Sequence, residues 1–221
     1  MEPVAYIRSP FADKFGVPRQ SGLAPHVVCR LEFAPAYRRI DYVRGLEEFS
    51  HLWLIWGFHC NEAQSMRATV RPPRLGGNIR MGVFATRSPF RPNGLGLSAV
   101  RLISVEEGPS LLISGADMVD GTPVYDVKPY LPYADALPEA KGGFAADETQ
   151  SPRLTVQLPQ RLPALPTQEW LEALCEVLAQ DPRPAYQDDP QRVYHMIYRP
   201  YEIDFTVQEG VLRVLAFHRV S

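Results

Sequence analysis

The sequence predicts a mainly β protein, in which an N-terminal antiparallel β-barrel is followed by a small C-terminal α+β domain. Prolines are unusually frequent, with 22 in 221 residues, and their spread along the chain disfavours long uninterrupted helices. Short runs rich in β-branched and aromatic residues follow one another closely in the first half of the chain. The pattern changes after Pro166, where a helical periodicity precedes two alternating runs.

Six runs in the first half have the composition and the flanking turn residues of strands. They cover residues 4–7, 26–33, 51–58, 79–84, 97–105 and 110–116. Because few helical patterns separate them, these runs favour a closed or partly closed antiparallel barrel. One helix is expected over residues 40–49, where Val43, Leu46 and Phe49 fall on one face.

The second half predicts a separate unit. Proline and glycine become more frequent over residues 141–166, which indicates a boundary, although residues 154–158 are compatible with a short strand. Thr167 can cap a following helix, and residues 201–208 and 211–220 alternate as a terminal hairpin would. We therefore divide the chain into a barrel domain, residues 1–145, and a C-terminal domain, residues 146–221.

The composition excludes several classes of protein. A hydrophobic share of 45% argues against wholesale disorder. Three scattered cysteines, Cys29, Cys60 and Cys175, do not form a disulfide framework or a CxxC zinc motif, and the histidines lack metal-ligand spacing, so no metal is expected. No apolar run approaches the roughly 18 residues of a membrane helix. These features predict a cytoplasmic protein with no membrane association.

The charge distribution is uneven along the chain. A formal net charge of −2 argues against a nucleic-acid partner, but no acidic residue occurs between Ala63 and Val105. That stretch contains seven arginines, at positions 67, 71, 74, 80, 87, 91 and 101. Arginine pairs with phosphate and stacks on bases, so the stretch predicts an RNA-binding surface. The alternative is a solvated basic face balanced by the acidic residues of 106–148.

Two segments carry polar and conformationally special residues where a barrel would otherwise carry apolar ones. The first, residues 82–98, is expected to lead from a strand into a loop that prolines stiffen, so that Arg87 and Arg91 project from it. A proline-shaped surface turn with solvated arginines is the alternative.

The second segment, residues 116–130, contains the turn signal Asp120-Gly121 followed by an extended stretch. Asp126, Lys128 and Tyr130 alternate there and should face the same way. A carboxylate, an ammonium and a phenol on one face could support acid/base chemistry, and an internal salt bridge explains the pattern equally well.

The strings GVFATRSPFRPN, residues 82–93, and DGTPVYDVKPY, residues 120–130, resemble the TsaA-like family in sequence, order and spacing. Further agreement lies in residues 15–20, 46–53 and 181–186. The resemblance implies a β-barrel methyltransferase that uses S-adenosylmethionine, works as a homodimer with the cofactor near the subunit interface, and methylates the N6 nitrogen of N6-threonylcarbamoyladenosine beside a tRNA anticodon.

The resemblance also implies a set of cofactor-binding residues. Transferred motif by motif, these are Pro18, Arg19, Gln20, His59, Cys60, Arg87, Leu97, Asp120, Gly121, Thr122 and Pro123. The sequence contains no strand followed by GxGxxG, so a Rossmann-type cofactor site is unsupported. Any S-adenosylmethionine must therefore be bound by barrel loops.

The acceptor nitrogen of that substrate lies between a purine and a carbonyl, so it is a poor nucleophile until its proton leaves. Our hypothesis is that Asp126 or Asp120 takes part in proton removal, and that Lys128 or Arg91 stabilises the developing charge. The expected catalytic residues are therefore Asp126, Lys128 and Arg91. Two other functions remain open: a non-catalytic RNA-binding barrel, and a methyltransferase of the same family with a different acceptor.

Overall fold

The computed structural model describes residues 1–61, 67–72, 78–145, 153–183 and 189–220. The strands in these ranges are β1 (Ala5–Arg8), β2 (Val28–Phe33), β3 (His51–Gly57), β4 (Thr69–Val70), β5 (Met81–Gly82), β6 (Leu95–Glu106), β7 (Ser110–Ser114), β8 (Pro123–Pro129), β9 (Thr155–Gln157), β10 (Tyr194–Tyr198), β11 (Tyr201–Gln208) and β12 (Val211–Arg219). The α-helices are α1 (Pro132–Asp135) and α2 (Gln168–Ala179), and short 3-10 helices occupy Pro35–Tyr37, Ile40–Tyr42, Leu46–Glu48, Val83–Ala85 and Gly143–Ala145.

The N-terminal half is a closed barrel with the strand order β1-β2-β7-β6-β3-β8, in which all neighbouring strands are antiparallel. The barrel closes where Ala5 of β1 lies opposite Val124 of β8. Leu31, Leu52, Leu54 and Ile113 are completely buried and belong to its core. The prediction of a mainly β fold with an N-terminal barrel is confirmed. Because side chains fill the interior, a ligand has to bind at the loops or on an outer face.

The predicted helix over residues 40–49 is wrong. The segment instead forms the 3-10 helices Ile40–Tyr42 and Leu46–Glu48, separated by Gly45 with a φ of +86°. A left-handed residue interrupts the α-helical ladder, and i to i+3 bonds such as that from the Val43 amide to the Ile40 carbonyl, 3.1 Å, replace it. Val43 is still buried, because a three-residue spacing also places apolar side chains on one face.

The predicted barrel strand over residues 79–84 is also wrong. Only Met81–Gly82 is extended, and it pairs with β4 outside the barrel. The 3-10 helix Val83–Ala85 follows because Thr86 folds back on it, donating both its amide and its hydroxyl to the carbonyl of Val83, at 3.1 and 2.9 Å. The sixth barrel strand is β8, which begins at a proline, as the first residue of a strand can.

The C-terminal unit consists of helix α2 and a sheet with the order β10-β11-β12-β9. As predicted, Thr167 caps α2, and its hydroxyl oxygen accepts the amide of Trp170 at 3.1 Å. The hairpin β11–β12 and the short strand β9 also occur as expected, with β9 parallel to β12. The small α+β architecture predicted for this half is confirmed.

The two halves share one hydrophobic core. Phe11 of the barrel side meets Tyr198 of β10 through a β-bridge, with ring centroids 5.4 Å apart. His26 approaches Glu176 of α2, with Nδ1 at 2.6 Å from Oε1. The boundary predicted between residues 145 and 146 borders residues 146–152, which lie outside the described residues. In the described ranges, no helix is long and apolar enough to cross a membrane.

Candidate active site

A cleft of about 1890 Å³ lies beside the barrel and is lined mainly by its arginine-rich loops, with Arg183 contributed by the C-terminal half. Its lining includes seven cationic residues: Arg19, Arg67, Arg71, Arg80, Arg87, Lys141 and Arg183. No acidic residue lines the cleft among the residues that the structure describes. Small-molecule pockets usually occupy roughly 300 to 1,000 Å³, so this cleft has room for more than one small ligand, and its charge favours anionic ones.

The loop that follows β5 is held by its own side chains. Arg91 does not line the cleft; its Nη1 donates to the carbonyl oxygens of Thr86 and Ser88, at 3.0 and 3.3 Å. The hydroxyl of Ser88 accepts the amide of Phe90 at 3.2 Å. The stiffness predicted from the prolines therefore has a second origin in these hydrogen bonds, and Arg91 itself shapes the loop.

Arg87 joins two segments that the resemblance assigned to the cofactor. Its Nη1 donates a hydrogen bond to Oε1 of Gln20, and both residues line the cleft next to Arg19. Arg87 is exposed, and Pro18 directly before this group is buried. The tertiary fold thus brings Arg19, Gln20 and Arg87 together, although 67 positions separate Gln20 from Arg87.

Asp117 is a candidate functional residue that the sequence interpretation missed. Its Oδ1 accepts the hydroxyl of Ser98 at 2.6 Å, and that hydroxyl oxygen accepts the indole N–H of Trp56 at 3.0 Å. Burial raises the pKa of Asp117, while the hydrogen bond from Ser98 and the positive charge of Arg87 act in the opposite direction. Ser98 lies on the buried face of β6. A buried hydroxyl needs a hydrogen-bond partner, so a serine on the apolar face of a predicted strand is the sequence signal that could have pointed to this carboxylate.

We expect Asp117→Asn to change the pH dependence of stability. A folded pKa above the unfolded one means that the native state binds this proton more tightly, so wild-type stability falls as the pH rises from about 4 through the raised pKa. Asparagine does not titrate, so the melting temperature of the variant should rise relative to that of the wild type across that pH window. Above the window, the difference between the two melting temperatures should stay constant. Calorimetric scans at a series of pH values measure this difference. The wild-type protein scanned at the same pH values is the reference, and melting temperatures that stay parallel across that window contradict the prediction.

A second group lies at the turn before β8. Nδ1 of His59 is 3.4 Å from the hydroxyl of Thr122, and Nε2 of His59 is 3.1 Å from the thiol sulfur of Cys60. The carboxylate of Asp120 accepts bonds from the Ser9 amide and from Arg199, while Pro123 begins β8. Gly121 has a φ of +77°, which glycine tolerates and other residues rarely adopt. His59, Cys60, Gly121 and Thr122 therefore lie close together in one cluster.

The remaining candidates lie on strands of the barrel. Asp126 and Lys128 face the same way, as the alternation predicted, and form an ion pair with Nζ 2.9 Å from Oδ2. Leu97 of β6 is 59% exposed. Among the described residues, no hydrogen bond or ion pair joins Arg91 to Asp126 or Lys128, so the three expected catalytic residues are not assembled by direct contacts. No group of His, Cys, Asp or Glu in the described ranges is arranged to hold a metal ion.

Comparison with known families identifies the chain. The family described as the tRNA-methyltransferase O (TrmO) N-terminal domain matches residues 6–136, and the TrmO C-terminal domain family matches residues 150–220. The chain belongs to the TrmO family. The resemblance seen in the two sequence strings is confirmed, and the TrmO match extends over both halves of the molecule.

Similar TrmO-type proteins come from several bacteria. The tRNA (adenine(37)-N6)-methyltransferase of Escherichia coli (strain K12) is 42% identical over 97% of this chain and 96% of its own length. A putative S-adenosylmethionine-dependent methyltransferase of Pseudomonas aeruginosa is 47% identical over 88% of this chain and 86% of its own. A crystal structure of TrmO from P. aeruginosa superposes with a TM-score of 0.80 at 36% identity, covering 99% of this chain and 95% of that one.

Proposed function

We propose that this chain is an S-adenosylmethionine-dependent tRNA methyltransferase that methylates the N6 nitrogen of N6-threonylcarbamoyladenosine next to the anticodon. The observation that carries the proposal is the Gln20–Arg87 pair in a cleft of a TrmO fold, where the lining residues that the structure describes include seven cations and no acidic residue. The described lining residues suit two kinds of anionic group, the carboxylate of the cofactor and the phosphates of an RNA backbone. The E. coli relative is named tRNA (adenine(37)-N6)-methyltransferase, which is compatible with this activity.

The donor set of the two clusters fits S-adenosylmethionine. A guanidinium can pair with the cofactor carboxylate, and the amide of Gln20 and the hydroxyl of Thr122 can satisfy polar groups of a nucleoside. We assign cofactor binding to Pro18, Arg19, Gln20, His59, Cys60, Arg87, Leu97, Asp120, Gly121, Thr122 and Pro123. When bound, the cofactor supplies an electrophilic methyl group on a sulfonium.

The protein has to orient the acceptor nitrogen, exclude water and remove a proton from it. We propose Asp126 as the proton acceptor, with Lys128 or Arg91 stabilising the charge that develops. Asp120 is the alternative proton acceptor, and its two carboxylate oxygens accept the Ser9 amide and Arg199. Another cleft arginine would bind the threonyl carboxylate of the substrate.

We further propose that the active form is a cytoplasmic homodimer, built from a barrel domain, residues 1–145, and a C-terminal domain, residues 146–221. Leu97 and Ile103, 59% and 46% exposed, place apolar surface on the outside of β6, where a second subunit could cover it. The three cysteines are free thiols, which suits a reducing compartment. Sedimentation of the purified protein measures the oligomeric state, and a monomer at assay concentration contradicts the dimer.

Methyl transfer to modified tRNA tests the proposed function. Purified protein is incubated with labelled S-adenosylmethionine and with tRNA that carries or lacks the threonylcarbamoyl group, and the nucleosides are analysed by mass spectrometry. Label on N6-threonylcarbamoyladenosine alone supports the proposal. Label on another nucleoside indicates a different acceptor, and tRNA binding without any label indicates a non-catalytic RNA-binding barrel.

Cofactor binding should not require a metal. We expect S-adenosylmethionine or its demethylated product to give saturable heat in isothermal titration calorimetry with a chelator present, because the proposed contacts are all protein side chains and backbone. Parallel titrations without chelator are the control. Absence of saturation at millimolar cofactor in both buffers contradicts the enzyme assignment, and loss of binding only with chelator contradicts the metal-free site.

A further inference from the structure

Asp120 receives bonds from both halves of the protein. Its Oδ1 accepts the amide of Ser9 at 3.0 Å, and its Oδ2 accepts Nη1 of Arg199 at 2.7 Å. The side chain of Asp120 is 22% exposed and that of Arg199 is 47% exposed, so the pair is partly shielded from water. The bond to Arg199 is charge-assisted and links the turn before β8 to the hairpin β10–β11 of the C-terminal half.

The backbone of Arg199 is itself fixed. Its amide donates to the carbonyl of Pro10 at 2.9 Å, and its carbonyl accepts the indole N–H of Trp170 at 2.8 Å. The preceding residue, Tyr198, is fully packed between the rings of Phe11 and Trp170, with centroids at 5.4 and 5.2 Å. The backbone that carries the guanidinium is therefore fixed, so pairing with Asp120 restricts only the side-chain torsions of Arg199.

The same turn continues into the His59 cluster. The amide of Asp120 donates to the Phe11 carbonyl and that of Gly121 to the Ile7 carbonyl, both at 2.8 Å. Thr122 is buried, and its hydroxyl bonds the Val119 carbonyl at 2.7 Å and lies 3.4 Å from Nδ1 of His59. A displacement of Asp120 would therefore move the groups that surround His59.

We propose that Arg199 is a positioning residue through which the C-terminal domain holds the turn from Asp120 to Pro123 in the geometry that binds S-adenosylmethionine. The inference rests on the proposed function, which assigns this turn to the cofactor. It gives the C-terminal domain a role in cofactor affinity without any contact between Arg199 and the cofactor. Arg199 acts only through the carboxylate of Asp120.

Arg199→Ala should loosen the turn and weaken cofactor binding. Asp120 would keep the Ser9 amide as its partner, so we expect faster hydrogen exchange at the amides of Asp120, Gly121 and Thr122. The KM for S-adenosylmethionine should rise about threefold to tenfold, the range for losing one partly exposed hydrogen bond, with a smaller change in kcat. Arg199→Lys keeps the charge and should recover part of the loss.

Hydrogen exchange and calorimetry on the full chain test the inference together. Arg213→Ala, an exposed arginine on β12 of the same sheet, is the matched control. Faster exchange confined to the turn, with weaker S-adenosylmethionine binding in Arg199→Ala and neither change in Arg213→Ala, supports the proposal. Unchanged exchange overturns the link to Asp120, and faster exchange with wild-type affinity overturns the link to the cofactor.

A double-mutant cycle separates a positioning role from general destabilisation. If Arg199 acts through Asp120, the variant that combines Arg199→Ala with Asp120→Asn should bind S-adenosylmethionine about as tightly as the single variant with the lower affinity. Fully additive losses overturn the proposal. Failure of the wild-type protein to bind S-adenosylmethionine would contradict the proposed function instead, and hydrogen exchange would still decide whether Arg199 holds the turn.

Discussion

Arg87→Lys is expected to lower methyl transfer about tenfold to hundredfold, with little change in melting temperature. Lysine keeps the positive charge but loses the planar fork that can bond Gln20 and a cofactor carboxylate together. Loss of one charge-assisted hydrogen bond in a closed complex costs about 1.5 to 3 kcal/mol, which corresponds to this range of rates. Arg87 is exposed in the free protein, so the folded state itself should lose little.

The matched control for Arg87 is Arg101→Lys, an exposed arginine on β6 that does not line the cleft. Melting temperature and methyl transfer are measured on the same samples of both variants and of the wild type. Normal activity in Arg87→Lys would remove this residue from the site. It would also weaken the assignment of the whole loop, residues 82–98, to cofactor binding.

The affinity for tRNA is expected to fall steeply with salt. If the cleft contacts about six phosphates, counterion release lowers the association constant roughly 10³-fold between about 50 and 200 mM salt. Arg71→Ala combined with Arg80→Ala removes two exposed cleft cations. The double variant should reduce the slope of log affinity against log salt by about 1.4 to 1.8. Arg74, from the same stretch, lies outside the described residues.

A matched pair of arginines outside the cleft controls for net charge. Arg39 and Arg44 are exposed and pair with Asp41, so their joint replacement by alanine removes the same charge from another surface. Filter binding of tRNA over a salt series gives both slopes. Equal slopes for the two double variants would mean that the cleft does not supply the phosphate contacts, and the RNA surface would have to be sought elsewhere on the protein.

Local sequence signals predicted the elements that depend on local chemistry. The cap of α2 at Thr167 and the hairpin β11–β12 follow from residues adjacent in sequence, and both occur as expected. The errors arose where one local pattern fits two structures. Residues Val43, Leu46 and Phe49 suit one face of an α-helix or of successive 3-10 turns, and the positive φ of Gly45 selects the turns.

In the candidate site, too, local sequence patterns predicted some features and left others undetermined. Arg19, Gln20 and Arg87 were named from motifs, and the structure brings them to one cleft. Asp117 was missed, because its importance comes from burial beside Ser98 and from the charge of Arg87, which no spacing in the sequence reveals. An ion pair was one of two explanations for the alternation of Asp126 and Lys128 in the sequence. Only the tertiary structure distinguishes a paired carboxylate from one that faces the cleft.

The sequence by itself determined the fold class, the family and the segments that carry polar residues, because strand periodicity, turn residues and motif strings are encoded locally. The tertiary structure alone decided which strand closes the barrel, which arginines share a cleft and which partner each carboxylate has. The bond from Arg199 to Asp120 spans 79 positions, and Arg87 reaches Gln20 across 67. Such contacts depend on how separate segments pack together, and packing is a property of the whole fold.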